Sequence, residues 1–350
     1  MSGTRHDCES VTESDFKSSS SYVAEAVESY LENETEQTKL DCIVVRVVAP
    51  GTYFQRHAEI DKEYLKQLEK SALSAPLHTP AIIEEIKQLQ KAFKNIPLIA
   101  ASDSFFHRNM PAKARDYSLP EVDSDKFDIY RFGYHGLSVA SIIRRIHPLI
   151  GRDPERVVVC HVGSGTSVTA VKKGWSVETT MGFSPSSGLV MGSRAGDLDG
   201  SALLELMRVK NLELREALTY INQRGGLVGL AEESDIRHLL DRRAHHDPVA
   251  TGAIDTFVYG IQKAVAAQTV ALGGLDVLVL TATAAVRSIE LRRLILAGLT
   301  HLGLQVSDDR NNLLVGKDGL ISTRNSAVKV VVMQTDEMGE MLGIAKQFNY

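Results

Sequence analysis

Residues 157–171 read VVVCHVGSGTSVTAV, two β-prone arms around Gly163-Ser164-Gly165. Such a stretch predicts a β-hairpin with a glycine-rich turn. Glycines between two strands leave backbone N–H groups exposed, and such groups can cradle phosphate. Any tight hairpin can also carry Gly-Ser-Gly, so the turn alone does not decide between a ligand loop and a plain connection. Outward from it, Val277-Leu278-Val279-Leu280 and Val328-Lys329-Val330-Val331-Val332 predict further buried strands. Upstream, residues 42–48 form a β-branched run ended by Pro50 and Gly51, and residues 96–101 form a second short one.

Helical spacing fills the intervals. Residues 22–31, 61–71 and 80–93 carry apolar positions at helical period, the third with Ile82, Ile83, Ile86, Leu89 and Phe93 on one face. Residues 136–146 form a helix pattern stopped by Pro148, and further helices are expected over 201–220, 251–272 and 337–348. Strands and helices mixed in this order indicate α/β architecture. At 350 residues the chain has room for two domains with full cores.

Composition narrows the function classes. Hydrophobic residues make up 43% and charged residues 24%, as in a soluble globular protein. A formal net charge of −5 argues against a nucleic-acid partner, which would require a basic face. Cys8, Cys42 and Cys160 are scattered, without metal-ligand spacing, and read as free thiols of a reducing, cytoplasmic compartment. No apolar run has the length of a membrane span, and the first 21 residues are polar, like a poorly ordered tail.

Four segments carry candidate chemistry. His135 sits between Gly133 and Gly136, where backbone can approach a ligand and imidazole can donate to an anion; alternatively it caps the helix that follows. Arg194 lies in the glycine-punctuated loop 181–199, where its planar fork suits a phosphoryl group or carboxylate, with Asp197 and Asp199 as ion-pair partners or caps. The hairpin turn is the third. The fourth is Asp103, leaving the end of a buried strand, either a Mg²⁺ carboxylate or a turn former.

In order along the chain, these segments resemble the acetate kinase family. Val45-Arg46-Val47-Val48 is similar to the family's HRVVHGG and Ala75-Pro76-Leu77-His78-Thr79-Pro80 to its APLHNP. Residues 102–111, SDSFFHRNMP, resemble FDTAFHxTMP, and residues 130–136, YRFGYHG, resemble RRYGFHG. Residues 160–167, CHVGSGTS, answer HLGNGAS; residues 181–199 resemble MGFTPLEGLMMGTRSGDID; Gln334-Thr335-Asp336-Glu337 resembles PTNEE. Seven short matches in one order are specific, and they run from about residue 43 to the C-terminus.

The resemblance implies two actin-like (ribonuclease H-like) domains around a cleft, with the first domain lacking its initial strands. It implies a polar segment over 1–40, a first domain of 41–127 plus 338–350, and a second domain of 128–337. It implies phosphoryl transfer between ATP and a short-chain carboxylate, giving acetyl phosphate and ADP from acetate, with Mg²⁺ as cofactor and pairing as a homodimer. Arg46 and Arg194 match the positions that clamp the carboxylate and the transferring phosphoryl group, His135 the one that stabilises the transition state, and Asp103 and Glu337 the metal-linked acids. Val48, Leu77, Tyr134 and Pro185 match the acyl pocket. His161, Gly163, Ser164, Gly165, Thr166, Ala282, Thr283 and Ala284 match the nucleotide side. Positioning plus positive charge is what in-line phosphoryl transfer needs.

The chain also departs from the pattern. No NxGSSS loop precedes the Arg46 strand, and Ser18-Ser19-Ser20-Ser21 has neither an apolar strand before it nor a glycine. The family's TAGIGEN stands here as Thr281-Ala282-Thr283-Ala284-Ala285-Val286-Arg287, without either glycine. Tyr134 replaces a Phe. Three readings follow: an active carboxylate kinase, a catalytically impaired or truncated relative, and a kinase for a longer acid such as propionate or butyrate.

Overall fold

The computed structural model describes residues 40–72 and 79–350. Two mixed sheets organise them. The larger has six strands in the order β6-β5-β4-β7-β9-β8. These are β4 Arg156–Val162, β5 Thr166–Lys172, β6 Trp175–Thr179, β7 Val277–Thr281, β8 Gly319–Leu320 and β9 Lys329–Met333. The smaller has the order β1-β3-β2, with β1 Ile43–Val47, β2 Ala58–Glu59 and β3 Leu98–Ser102. The hairpin predicted at 157–171 is β4 and β5, antiparallel and in register from Arg156 opposite Lys172 to Val162 opposite Thr166. β4, β7 and β9 run parallel at the centre of the sheet.

The valine-rich strands are buried on both faces, as three parallel strands at the centre of a sheet require. Val158, Cys160, Val162, Leu278, Leu280, Val330 and Val332 pack into one core with the helix Pro248–Leu272. Val157, Val159, Val277, Val279 and Val331 point the other way, onto Val139, Ile142 and Ile146 of the segment around the helix Gly136–Arg145. The alternation is the period-2 consequence of a pleated strand, and each such side chain contributes roughly 2 kcal/mol.

In the smaller sheet, Val45, Val47, Leu98 and Ala100 pack on Tyr64 and Leu68 of the helix Lys62–Ser71 and on Ile83, Ile86 and Leu89 of the helix Thr79–Ala92. Its opposite face, Ile99 and Ala101, meets Leu137 and Ile344. The helix Gly136–Arg145 therefore serves both sheets, and the helix Glu337–Gln347 packs beside it. This shared pair fixes where Asp103, His135 and Glu337 sit relative to one another.

Several local expectations change. The helix expected over 201–220 is two, Gly200–Lys210 and Leu214–Gln223. Asn211 adopts φ 50° and ends the first, and a capping box between Glu213 and Glu216 starts the second. The helix expected at 251 begins at Pro248, because Asp247 accepts from the N–H groups of Val249 and Ala250 and Pro248 is preset for the first turn. β6 was not foreseen; it returns on β5 through Lys173 (φ 50°) and Gly174 (φ 83°), a two-residue hairpin turn with both φ positive. Segment 281–287, the counterpart of the family's TAGIGEN, carries the short helix Ala282–Arg287. The helix expected over 22–31 lies outside the described residues. Among the described residues no helix is long and apolar enough to cross a membrane.

Candidate active site

A cavity of about 790 Å³ opens between the two sheets, lined from the smaller-sheet side by Arg46, Val48 and Asp103 and from the other by His135, His161, the Gly163–Gly165 turn and Arg194. Of the residues expected in a site, Tyr134, Pro185, Ala282, Thr283 and Glu337 also line it. Thr166 is fully buried on β5 and Ala284 packs toward the core, so neither forms part of the wall. Leu77 lies outside the described residues.

Asp103 is 1% exposed and organises the smaller-sheet wall. Its Oδ2 accepts from Arg46 Nη2 at 3.0 Å and from the backbone N–H of His135 at 2.8 Å. Arg46 Nη1 donates to Glu337 Oε2 at 2.8 Å. Asp103, followed chiefly by Glu337, holds the Arg46 guanidinium above its ordinary pKa against the opposing pull of burial. Burial raises Glu337, with Arg46 opposing the shift.

His135 stands at the N-terminal boundary of the helix Gly136–Arg145 but its side chain makes no capping bond, so the capping reading fails. Its backbone is left-handed (φ 59°), an uncommon state for a non-glycine residue. Gly136 has to follow, because a Cβ there would stand 2.3 Å from the Asp103 carbonyl oxygen. The His135 ring stacks on His161 at 3.9 Å between centroids, and Nδ1 of each ring pairs with a serine hydroxyl, Ser167 at 3.0 Å and Ser138 at 2.8 Å. Burial, reinforced by His161, Arg46 and Arg194, drives the His135 pKa well below its ordinary value. His161 is pulled down to about 4, mainly by burial. Both rings are neutral near pH 7.

Arg194 Nη1 donates to the Pro185 carbonyl at 2.6 Å, and among the described residues the guanidinium has no carboxylate partner. Gly165 is where it meets His135: a Cβ on Gly165 would lie 2.6 Å from Arg194 Nη2 and 3.0 Å from His135 Nε2. The turn is closed by Gly163 N–H donating to the Gly165 carbonyl. Of the neighbouring acids, Asp199 caps the helix Gly200–Lys210, while Asp197 braces the loop by accepting from Gly188 N–H at 2.7 Å.

Val48 and Tyr134 pack with Phe132, Met181, Phe183 and Met191 into an apolar cluster beside these charges. The Tyr134 hydroxyl donates to the Phe183 carbonyl at 2.6 Å. It is thus committed to the loop backbone and leaves the pocket wall apolar. The cleft residues missed in the sequence are Ser138 and Ser167, which fix the imidazoles, and Thr335, Asp336, Met338 and Met341 of its far wall. Ser167 was within reach, since hairpin register sets it opposite His161.

A divalent cation fits this chemistry. Asp103 Oδ1 is buried with no hydrogen-bond partner, next to the second carboxylate of Glu337 through their shared Arg46. Among the described residues no cluster of three or more His, Cys, Asp or Glu forms a cage, and one or two carboxylates plus substrate phosphates are the usual Mg²⁺ arrangement.

Comparison with known proteins shows the family. The model of the acetokinase family matches residues 1–344. An acetate kinase of Caldanaerobacter subterraneus subsp. tengcongensis is 37% identical over 306 residues, covering 86% of this chain and 76% of that one. The crystal structure of Porphyromonas gingivalis acetate kinase superposes with a TM-score of 0.84 at 28% identity, covering 94% of this chain and 84% of that one. A propionate kinase from Francisella tularensis superposes with the same TM-score of 0.84 at 30% identity, covering 91% and 82%. With the family model spanning residues 1–344 and a relative 37% identical over 86% of the chain, the chain belongs to the acetokinase family.

Proposed function

We propose that the chain is a short-chain carboxylate kinase, transferring the γ-phosphoryl group of ATP to acetate to give acetyl phosphate and ADP. One observation carries the proposal: the Arg194 guanidinium, with no carboxylate partner among the described residues, and the neutral His135 imidazole converge on the glycine turn of one cavity, opposite the Arg46–Asp103–Glu337 cluster.

A carboxylate oxygen forms the new bond to phosphorus as the bridging oxygen of ADP leaves, and negative charge spreads over the equatorial oxygens. Arg194, with no carboxylate partner among the described residues, seats that charge; a planar fork suits both a carboxylate and a phosphoryl group. In the tautomer whose Nδ1 accepts from the Ser167 hydroxyl, His135 carries its proton on Nε2, the ring atom facing Gly165, and stabilises charge as a neutral donor. Arg46, oriented by Asp103 and Glu337, presents a second guanidinium on the opposite wall. Val48, Tyr134 and Pro185 hold the acyl tail out of water. Asp103 and Glu337 would hold Mg²⁺, which when bound supplies charge neutralisation on the nucleotide phosphates. The backbone of 163–165, with Ala282 and Thr283, forms the nucleotide side. Pairing of the chain as a homodimer belongs to the same proposal.

A second reading has one observation in its favour. Ala282, at the nucleotide end, holds φ 68° without being glycine, a strained feature of a segment with no glycine to relieve it. Nucleotide binding with little turnover would follow. The experiment is acyl-phosphate formation by the purified chain with Mg-ATP and acetate, trapped with hydroxylamine and repeated with propionate and butyrate. Turnover with acetate supports the kinase reading. Turnover only with the longer acids moves the acceptor, and ATP binding without turnover favours the impaired reading.

A further inference from the structure

Arg292 is the largest fully buried side chain of the described residues, at 0% exposure. No carboxylate pairs with it among the described residues, yet burial lowers its pKa only to about 10, so the guanidinium stays charged near neutrality. A buried unpaired cation is costly unless its donors are satisfied. All of its nitrogens donate. Nε gives to Asn311 Oδ1 at 2.6 Å, Nη1 to the carbonyls of Ala285 at 2.8 Å and Val286 at 3.0 Å, and Nη2 to those of Asn311 at 2.8 Å and Leu314 at 2.7 Å.

These acceptors are the carbonyl ends of two short helices. Ala285 and Val286 lie in the last turn of Ala282–Arg287; Asn311 and Leu314 lie at the end of Asp308–Leu313. Terminal carbonyls have no intrahelical partner and carry the negative end of the helix dipole, so one cation between two such ends satisfies both. Asn311 is itself fully buried, and its amide donates to the Ile289 carbonyl at 3.3 Å. The opposite end of the first helix, Ala282 and Thr283, is in the cleft wall. Six residues make a helix about 9 Å long, too short to hold its own shape without tertiary support.

We propose that Arg292 is a positioning residue for the nucleotide end of the cleft: by gripping the carbonyl end of Ala282–Arg287 it sets where Ala282 and Thr283 stand against the bound nucleotide. This rests on the kinase reading. Arg292 touches neither substrate, and the carboxylate end, built from Arg46, Val48 and Tyr134, does not depend on it.

The test compares the wild-type chain with Arg292→Lys, measuring the ATP dissociation constant by calorimetry and the KM values for ATP and acetate separately. The expected result is a rise of about tenfold or more in the ATP constants with acetate KM within about twofold. Unchanged ATP binding in a folded variant, or equal rises in both KM values, overturns the proposal. Should Arg292→Lys not fold, Asn311→Ser leaves the guanidinium its four carbonyl bonds and is read in the same way: a rise of about threefold confined to ATP supports the proposal, and no change or parallel changes overturn it. Wild type that binds no ATP removes the kinase reading and this proposal with it. Wild type that binds ATP normally, beside variants that do so equally, removes the positioning role alone.

Discussion

Arg46 and Asp103 meet at 3.0 Å just past the parallel pairing of β1 with β3, where Arg46 lies opposite Ala101. The same Asp103 oxygen accepts the His135 backbone N–H. One buried carboxylate thus sets both the first arginine of the cleft and the left-handed turn that aims the His135 ring. Its partner is about one-third exposed while Asp103 itself is buried, so the pair joins the protein interior to the open cleft.

Asp103→Asn keeps a similar shape and removes the charge. We expect kcat to fall by about 100-fold, the scale of a lost electrostatic contribution in an organised site, in a chain that still folds. Hydroxylamine-trapped product formation beside a circular dichroism spectrum checks this, and wild-type turnover would remove Asp103 from the site.

Arg194→Ala and His135→Ala each take one donor from the Gly165 side. Each is expected to lower kcat by at least about 100-fold, with the double variant falling short of the product of the two because both act on the same developing charge. Initial rates for the three variants decide it; equal rates for wild type and both single variants would sink these roles.

Ala282 holds φ 68°, a backbone state that disfavours a Cβ by roughly 1–2 kcal/mol. Glycine gives part of that back through the flexibility of the unfolded chain. Ala282→Gly should therefore raise stability by about 1 kcal/mol, seen as a higher urea midpoint with unchanged m-value. A lower midpoint would mean that the alanine methyl is packed to advantage.

His57, His107 and His161 are each held near pKa 4 against an ordinary 6.5, with burial the largest cause. These rings bind protons more weakly folded than unfolded. Their contribution is present above about pH 6.5 and is lost as pH falls toward about 4, because the unfolded chain takes up the protons first. Urea midpoints should decline across that window. His107 does not itself line the cleft and bridges the Ser176 hydroxyl and the Tyr134 carbonyl, so His107→Gln should flatten the decline; an unchanged slope would remove His107 as a source.

The strands were legible because their signal is local. Valine runs such as 157–159 and 330–332 have few alternatives to a buried strand, and Gly163-Ser164-Gly165 between two of them leaves the chain to turn. The candidate site was legible as residues, since Arg46, Asp103, His135, Arg194 and Glu337 each stand in a short motif. It was not legible as geometry. Short strands such as β2 and β8 carry only two residues each and leave no period to detect. The split at Asn211 depended on one αL residue and a capping box whose geometry appears only once the chain is folded.

Sequence by itself determined the α/β class, the buried strands and the residue types available for phosphoryl chemistry, because apolar periodicity and glycine placement act over a few residues. Tertiary structure alone decided that Arg46, Asp103 and Glu337 form one cluster, that the Tyr134 hydroxyl turns to the Phe183 carbonyl, and that Arg292 closes two helix ends. Arg46 and Glu337 are 291 positions apart, and no local preference encodes such a contact. It exists because two helices, Gly136–Arg145 and Glu337–Gln347, pack where the two sheets meet, and burying their apolar faces brings the charged ends together.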